Sequence, residues 1–365
     1  MIIVFGITAF LILLYLAYPL WLMLFPSVKK EKEKETDEIN SISLILLSYN
    51  GKEYLKEKIS FLLKELSVFQ QSELIIIDNN STDGSQEILN NIKDTSHITV
   101  IAKTERTGIP DSMNMGVEKA KYECIIFCDQ RQKLSENILQ HIVEPLKFKR
   151  TGAVSGCISH FDKENKRSII RMHENFLKVN ESNAGSLIGV YGPFYAIKKH
   201  CYSVIPDNII LDDLFLSLKI LKSKQIELIE DCRIIDDNFS VLYDYKRARR
   251  YLSGLLQILK EKSMISDLSY KQRTMLIWHK YLRLIIPYCL ILCYISIGMS
   301  ITNGIEFVVA FCIVTTIILL SVLPYKFIIQ FRLLNLIRMN TLSLIASLDI
   351  LLNNIVLRRT ISGKT

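Results

Sequence analysis

Between positions 43 and 128 the apolar residues fall into short unbroken runs that alternate with segments of helical spacing. Ser43 to Leu47, Leu74 to Ile77, Ile98 to Ala102 and Glu123 to Cys128 read as strands. Between them, residues 52–69 carry Tyr54, Leu55, Ile59, Leu62, Leu63 and Leu66 on one helical face, and Gln86 to Ile92 and residues 111–120 are helical as well. The order βαβαβαβ predicts an α/β fold with a mostly parallel sheet and helices on its faces. The second half is less regular. Gly152 to Cys157, Gly192 to Ile197 and a short run from Ile226 to Ile229 are strand-like, and Asp212 to Leu221 is helical.

The ends of the chain follow a different pattern. Ile2 to Ser27, Leu284 to Ile301 and Phe307 to Tyr325 contain no charge, and each is long enough to span a bilayer. The first lacks the basic start and small-residue exit of a cleaved leader. The turn Ser300 to Gly304 makes the other two a predicted transmembrane hairpin. Lys29, Lys30, Lys280, Arg283, Lys326 and Arg332 all fall on one side of these spans, which the positive-inside rule makes cytoplasmic. Residues 246–281 mix basic, aromatic and apolar positions, as helices lying on a membrane surface do. Residues 327–357 are apolar but carry Arg332, Arg338 and Asp349, which favours interfacial helices over a fourth span. The predicted organisation is a membrane helix (1–27), a charged linker (28–40), an α/β domain (41–245), interface helices (246–281), a hairpin (282–325) and an amphipathic end (326–365).

Composition sharpens this picture. The mean hydropathy of +0.23 over 365 residues is high for a soluble chain, and the net charge is +8. The basic residues gather near the membrane ends, which suits anionic lipid headgroups and not nucleic acid. The eight cysteines include no tight pair, and read as reduced apolar filler instead of a disulfide frame or zinc site.

The candidate chemistry sits where strands end and helices begin. The first run stops at Ser48-Tyr49-Asn50 and the second at Asp78-Asn79-Asn80. The fourth stops at Asp129 in CDQRQ, and Asp212 and Asp213 open a helix. In a parallel α/β sheet the ligand crevice lies beyond the carboxyl ends of the strands, so carboxylates there face a ligand. The alternative for Asp78 is a plain turn in which Ser81 or Asp83 caps the next helix, and Asp212 is read as a cap beside Asp213. His160 and His173 read as solvated loop residues. Such a set matches transfer from a nucleotide-activated substrate. Acidic groups suit a nucleoside, hard cations on a diphosphate take carboxylate oxygen, and an acceptor hydroxyl needs a base. The departing diphosphate needs cations, which Arg247 and Arg250 in KRARRY could supply.

SLILLSYNG, IIIDNNSTDGS, DQRQ, GAVSG, GPFYAIKK, ILDD and RARRY occur in the order found in processive-type family 2 glycosyltransferases, which the chain resembles over roughly residues 41–260. The family includes cellulose, chitin, hyaluronan and poly-N-acetylglucosamine synthases. The resemblance implies a GT-A fold and an inverting transfer without a covalent intermediate. It implies that Asp78, Ser48 and Asn50 meet the nucleotide and that Asp129 holds Mg2+ or Mn2+. It makes Asp213 the catalytic base with Asp212 beside it, and it puts Arg250, Arg247 and Tyr251 at the acceptor and diphosphate end. The sequence departs from the family in three places: Arg131 stands at the third position of the DxD motif, where it is assigned to the diphosphate, Ile109 replaces a lysine, and R-x-x-R-Y replaces Q-x-x-R-W.

The expected activity is sugar transfer from a UDP-sugar to a growing polysaccharide or lipid-linked glycan, at the cytoplasmic face of a multi-pass membrane protein. The alternatives are a single transfer to a polyprenyl-phosphate or glycolipid, or a silent scaffold of an export complex. Membrane lipids are expected partners. With three spans, a homo-oligomer or an export partner would be needed to complete a polymer channel.

Overall fold

The computed structural model describes residues 17–25, 38–92, 97–159, 169–236, 241–299, 304–305, 308–309, 312, 315 and 341–350. The chain forms two compact bodies. One comprises Phe25–Asp237 with Ser263–Ser269, and the other Met1–Leu24, Asn238–Lys262 and Tyr270–Thr365.

The first body is built on one eight-stranded sheet. Its strands are β1 (Ser41–Ser48), β2 (Gln71–Asp78), β3 (Ile98–Ala102), β4 (Cys124–Asp129), β5 (Lys133–Leu134), β6 (Thr151–Ile158), β7 (Phe194–Lys198) and β8 (Gln225–Ile235). They lie in the order β3-β2-β1-β4-β7-β6-β8-β5. β3, β2, β1 and β4 are mutually parallel and are joined by helices α1 (Lys52–Leu66), α2 (Ser85–Asn90) and α3 (Ile109–Lys119). Ile42, Leu44, Ile45, Leu46 and Leu74 to Ile77 are fully buried. That is the environment of a strand covered on both faces. β7 runs antiparallel to both β4 and β6, while β6 and β8 are parallel. The GT-A-like α/β fold is therefore present, with a parallel half and a mixed half.

Several boundaries differ from the sequence expectation. β8 extends from Gln225 to Ile235 instead of ending at Ile229. Its middle, Glu230 and Asp231, is exposed, and the irregular register opposite Ser155 to Cys157 carries the strand past them. Leu63 of α1 is exposed at 37%, whereas Lys58 and Glu65 are buried. Glu65 accepts hydrogen bonds from the backbone N–H groups of Asn137 and Leu139. It thereby satisfies donors at the start of helix α4 (Ile138–Val143), which have no partner within the helix. The polar stretch around His173 is no loop but helix α5 (Ile169–Asn183), and His173 is half-buried on it; His160 lies outside the described residues. Cys124, Cys128 and Cys157 are buried, and burial pushes the thiols of Cys128 and Cys157 up to about 11 and that of Cys124 up to about 12.

The second body is helical. After α6 of the first body (Asp212–Ile220, described below) come α7 (Val241–Lys260), α8 (Lys262–Ser266), which straddles the boundary between the bodies, and α9 (Tyr270–Leu276), then a π-helical turn at Ile277–Tyr281 and α10 (Leu282–Met299). α7 is amphipathic: Leu252 packs with Ala346 and Ile350, flanked by Tyr245, Ala248 and Leu256, while Lys246, Arg247, Arg249 and Arg250 are exposed. Asp349 accepts a hydrogen bond from the Tyr245 hydroxyl at 3.0 Å and pairs with Arg249 at 2.7 Å. Among the described residues no helix is long and apolar enough to cross a membrane. Most residues of the spans expected at 2–27 and 307–325, the linker and most of 327–357 lie outside the described residues.

Candidate active site

The strand register brings the sequence-predicted tips to one level. Ser48 pairs with Asp78, Leu47 with Asp129, and Asp78 with Ala102, so β1, β2, β3 and β4 end together. Connections leave β1 toward β2 on one side and β4 lies on the other, so the sheet's switch point is between the tips of β1 and β4. A ligand crevice of an open α/β sheet forms at such a point.

The β1–β2 side of the crevice is tightly laced. Asp78 is 0% exposed. Its carboxylate accepts hydrogen bonds from the Ser81 hydroxyl at 2.5 Å, the Ser81 N–H at 3.1 Å and the Gln86 amide at 3.1 Å. Asn50, at φ 44°, donates its N–H to Ser81 Oγ, and its side-chain oxygen accepts the N–H of Thr82. Ser48 donates to Gln130 Oε1, and Gln130 donates in turn to the Tyr49 carbonyl. Side chains assigned to nucleotide contact thus brace the turns in this state. Asp83 accepts from the N–H and hydroxyl of Ser85 and from the Lys52 N–H, so Asp83, and not Ser81, bonds the first residue of α2. Desolvation pulls the Asp83 carboxyl up, but these hydrogen bonds outweigh it and its pKa is lowered.

The loop after β3 closes over this end. Asn79 holds Thr107 by both its N–H and its carbonyl, and Arg106 lies over the Tyr49 ring at 4.2 Å. The buried Lys103 ammonium binds Thr107 Oγ1 and Asp111, and Thr107 donates to Asp111 at 2.8 Å. The Lys103 hydrogen bond, followed by that from Thr107, lowers the Asp111 carboxyl below its ordinary value. A depressed carboxylate contributes stability that is present above its unfolded pKa of about 3.9 and is lost as pH falls through the folded value. Urea titrations from pH 5 to pH 3 should therefore show a steeper loss of stability for the native chain than for Asp111→Asn. Parallel curves would show that this clip contributes nothing.

The other side of the crevice is acidic. Asp129 ends β4, and its N–H donates to the Pro193 carbonyl at 2.9 Å. Gly192 and Pro193 form the turn that leads into β7. On the far side of the turn, α6 (Asp212–Ile220) begins with Asp212 and Asp213, and Ser217 of α6 accepts the Val190 N–H at 3.2 Å. A Cβ at Gly192 would stand 3.3 Å from Asp213 Oδ2, so only glycine lets the turn lie against that carboxylate without a shift. Asp213 Oδ1 accepts the Leu214 N–H. The N-cap position itself is Leu211, and both aspartates stand in the first turn of the helix. The GPFY turn therefore joins Asp129 to the Asp212–Asp213 pair.

Arg131 is engaged within the chain. Its guanidinium pairs with the buried Asp236 at 2.7 Å, and Arg171 donates to the Asp236 carbonyl at 2.8 Å and approaches its carboxylate at 3.8 Å. Arg131 thus has a carboxylate partner of its own at the end of β8, and does not stand as a free diphosphate cation. Arg247 and Arg250 are exposed on α7 in the helical body, and Tyr251 is half-buried with a hydroxyl that has no hydrogen-bond partner among the described residues.

Sequence reasoning missed Asp236, and it reached Tyr195 only as part of the GPFY segment, Gly192 to Tyr195, read there as a lining for the acceptor. Tyr195 sits on β7 opposite Phe127 and Ser155, is 1% exposed, and its hydroxyl has no hydrogen-bond partner among the described residues. No signal in the sequence marks it beyond its place in GPFY.

Comparison with known proteins bears on the family and the fold. The family model described as glycosyl transferase family 2 matches residues 43–201. Poly-beta-1,6-N-acetyl-D-glucosamine synthase of Staphylococcus aureus (strain COL) is 24% identical over 209 residues, covering 53% of this chain and 49% of that protein. Glycosyltransferase GlyG of Streptococcus pneumoniae serotype 4 is 29% identical over 122 residues, covering 33% and 40%. The chain spans about half or less of the length of these curated relatives. Among solved structures, the mannosyltransferase PcManGT from Pyrobaculum calidifontis, in complex with GDP-Man and Mn2+, has a TM-score of 0.76 at 18% identity and covers 94% of this chain and 96% of that one. The likeness is one of fold.

Proposed function

Because the chain carries a glycosyltransferase domain of family 2 over residues 43–201, we propose that it transfers a sugar from a UDP-sugar, with inversion, to a growing polysaccharide or lipid-linked glycan at the cytoplasmic membrane face. The observation that carries this reading is the junction of Asp129 with the Asp212–Asp213 pair through one turn, beside the switch point of the sheet. Asp213 acts as base: it accepts the proton of the acceptor hydroxyl while that oxygen bonds to the anomeric carbon. The bond from that carbon to the diphosphate breaks, and its electron pair leaves with the nucleoside diphosphate. Asp212 stands beside it in the first turn of the same helix.

The donor set suits a hard divalent cation. Asp129 offers carboxylate oxygen at a strand end, and the pairing of Arg131 with Asp236 gives the nearby guanidinium charge another partner. When bound, Mg2+ or Mn2+ would offset the charge of the diphosphate. The Mn2+ of the Pyrobaculum mannosyltransferase supports this reading. The nucleoside falls to the Ser48, Asn50 and Asp78 side, and Arg247, Arg250 and Tyr251 are proposed for the acceptor and diphosphate end. The basic face of α7 and the apolar helix α10 support a membrane surface as the working site.

The test is nucleoside diphosphate release by the detergent-purified protein from a panel of UDP-, GDP- and dTDP-sugars, with manganese, magnesium and EDTA arms. Release from one UDP-sugar, lost in EDTA, is expected. Release only from a GDP- or dTDP-sugar would overturn the donor assignment, and sugar binding without release would favour a scaffold. A product ladder fits the polysaccharide reading, and a single added sugar the lipid-linked one.

Gly192→Ala probes the turn. The new methyl would force the Asp213 carboxylate to move by a few tenths of an ångström. Displacements of about 1 Å can cost a hundredfold in rate, so a loss of roughly tenfold is expected with the fold intact. A variant as fast as the parent would show that Asp213 is not held by the turn.

A further inference from the structure

Tyr195 is the buried polar side chain that the mechanism above leaves without a task. Its ring packs on Phe127 with centroids 5.0 Å apart. β7 fixes the backbone between β4 and β6, with Tyr195 paired to Phe127 on one side and Ser155 on the other. The hydroxyl is fully enclosed and has no hydrogen-bond partner among the described residues. Leaving a buried hydroxyl unsatisfied costs on the order of 1–3 kcal/mol, so a native fold that keeps one needs a reason. Phenylalanine would fill the same space without the cost.

The surroundings supply the reason. Tyr195 follows Pro193, which holds Asp129, and Gly192, which lies against Asp213. Burial raises the phenol pKa first, and the negative charges of Asp212, Asp213 and Asp129 raise it further. The hydroxyl therefore stays protonated and can only serve as a donor toward those carboxylates. Tyr202, the other phenol near Asp212, already donates to Asn114 at 2.7 Å. Tyr195 is thus a buried donor without a hydrogen-bond partner among the described residues, within electrostatic reach of the acidic pair that opens α6.

We infer that Tyr195 is a positioning residue: when substrates occupy the crevice, its hydroxyl donates to a carboxylate of the Asp212–Asp213 pair and fixes the orientation of the base. Tyr195 is too deeply buried to touch substrate, and it acts through the pair. No covalent step is involved, and the phenol proton stays on its oxygen. The inference rests on the proposed role of Asp213.

The experiment compares full-length native protein, Tyr195→Phe and Asp213→Asn for thermal unfolding and for steady-state kinetics with the donor identified by the panel. Tyr195→Phe should unfold at the same temperature as the native chain or higher, keep its donor KM within about twofold, and lose roughly ten- to a hundredfold in kcat. A purely structural tyrosine would instead lower the unfolding temperature and leave kcat of the folded fraction alone. Unchanged kcat in Tyr195→Phe with an inactive Asp213→Asn would overturn the inference and leave the base intact. Full activity in Asp213→Asn would remove the reading on which it stands.

Discussion

Asp213→Asn is expected to keep the fold and to lose at least about a hundredfold in turnover, the usual scale for removing a general base. The amide is isosteric, so the close approach of Gly192 and the bond from the Leu214 N–H survive. It is very weakly basic, however, and cannot take the acceptor proton. In the proposed mechanism Asp213 meets the acceptor and not the nucleoside, so donor affinity should stay within about twofold while kcat falls. Donor dissociation constants by calorimetry, set beside single-turnover rates, separate these effects. Turnover within a few-fold of the parent would sink the assignment of the base. Collapse of donor binding with turnover per bound donor unchanged would move Asp213 to the donor subsite.

The largest stability loss is expected at Asp236. Its side chain is 4% exposed and faces two guanidinium groups, Arg131 at 27% and Arg171 at 17% exposure. Removing one member of a buried ion pair leaves the others uncompensated and typically costs about 3–5 kcal/mol. For a body of this size, each kcal/mol lowers Tm by roughly 2–4 °C, so Asp236→Ala should melt roughly 6–20 °C lower. Asp236→Asn should fall in between, since it keeps the shape and a hydrogen-bond acceptor. The double variant Arg131→Met with Asp236→Leu should recover much of the loss, because exchange of a buried pair for apolar residues is often neutral. A melting point within 1 °C of the parent in Asp236→Ala would show that solvent already screens the cluster.

Much of the catalytic body could be read from the sequence because its strands stop where their chemistry starts. Runs such as LIII and CIIFC have one way to be buried, and a polar residue at the end of each has to leave the core, so Ser48, Asp78 and Asp129 were found at one edge of the sheet. What the sequence hid lies where polar groups are buried in pairs. α5 buries Asn175, Lys178 and Glu181 while Phe176 is 43% exposed, the reverse of an amphipathic pattern. Lys178 is tolerated there because its ammonium binds the Gly189 carbonyl and lies over the Tyr191 ring at 4.2 Å. Glu227 of β8 is buried through Thr151 at 2.7 Å and Arg150 at 3.8 Å. Such partners are distant in sequence and leave no periodic trace. Within the candidate site, the position of Asp78 at a strand tip was legible, but its enclosure by Ser81 and Gln86 was not. The pairing of Arg131 with Asp236 was not legible either, because the two are about a hundred residues apart in the chain.

The place of β7 has a consequence for how the molecule assembles. In the hydrogen-bonded ladder, the half-sheet β3-β2-β1-β4 and the half-sheet β6-β8-β5 meet only through this five-residue strand. The first half is made of sequential βαβ units with local contacts, which form early and fast. β7 comes later in the chain than β4 and β6 and lies between them, so the seam rests on pairings that are long-range in sequence. Asp129 lies on one side of that seam and α6 packs on the other, and the GPFY turn is the first part of the inserted strand. Neither half alone contains the acidic constellation. The site therefore depends on the union of the two halves, and it is lost when they part.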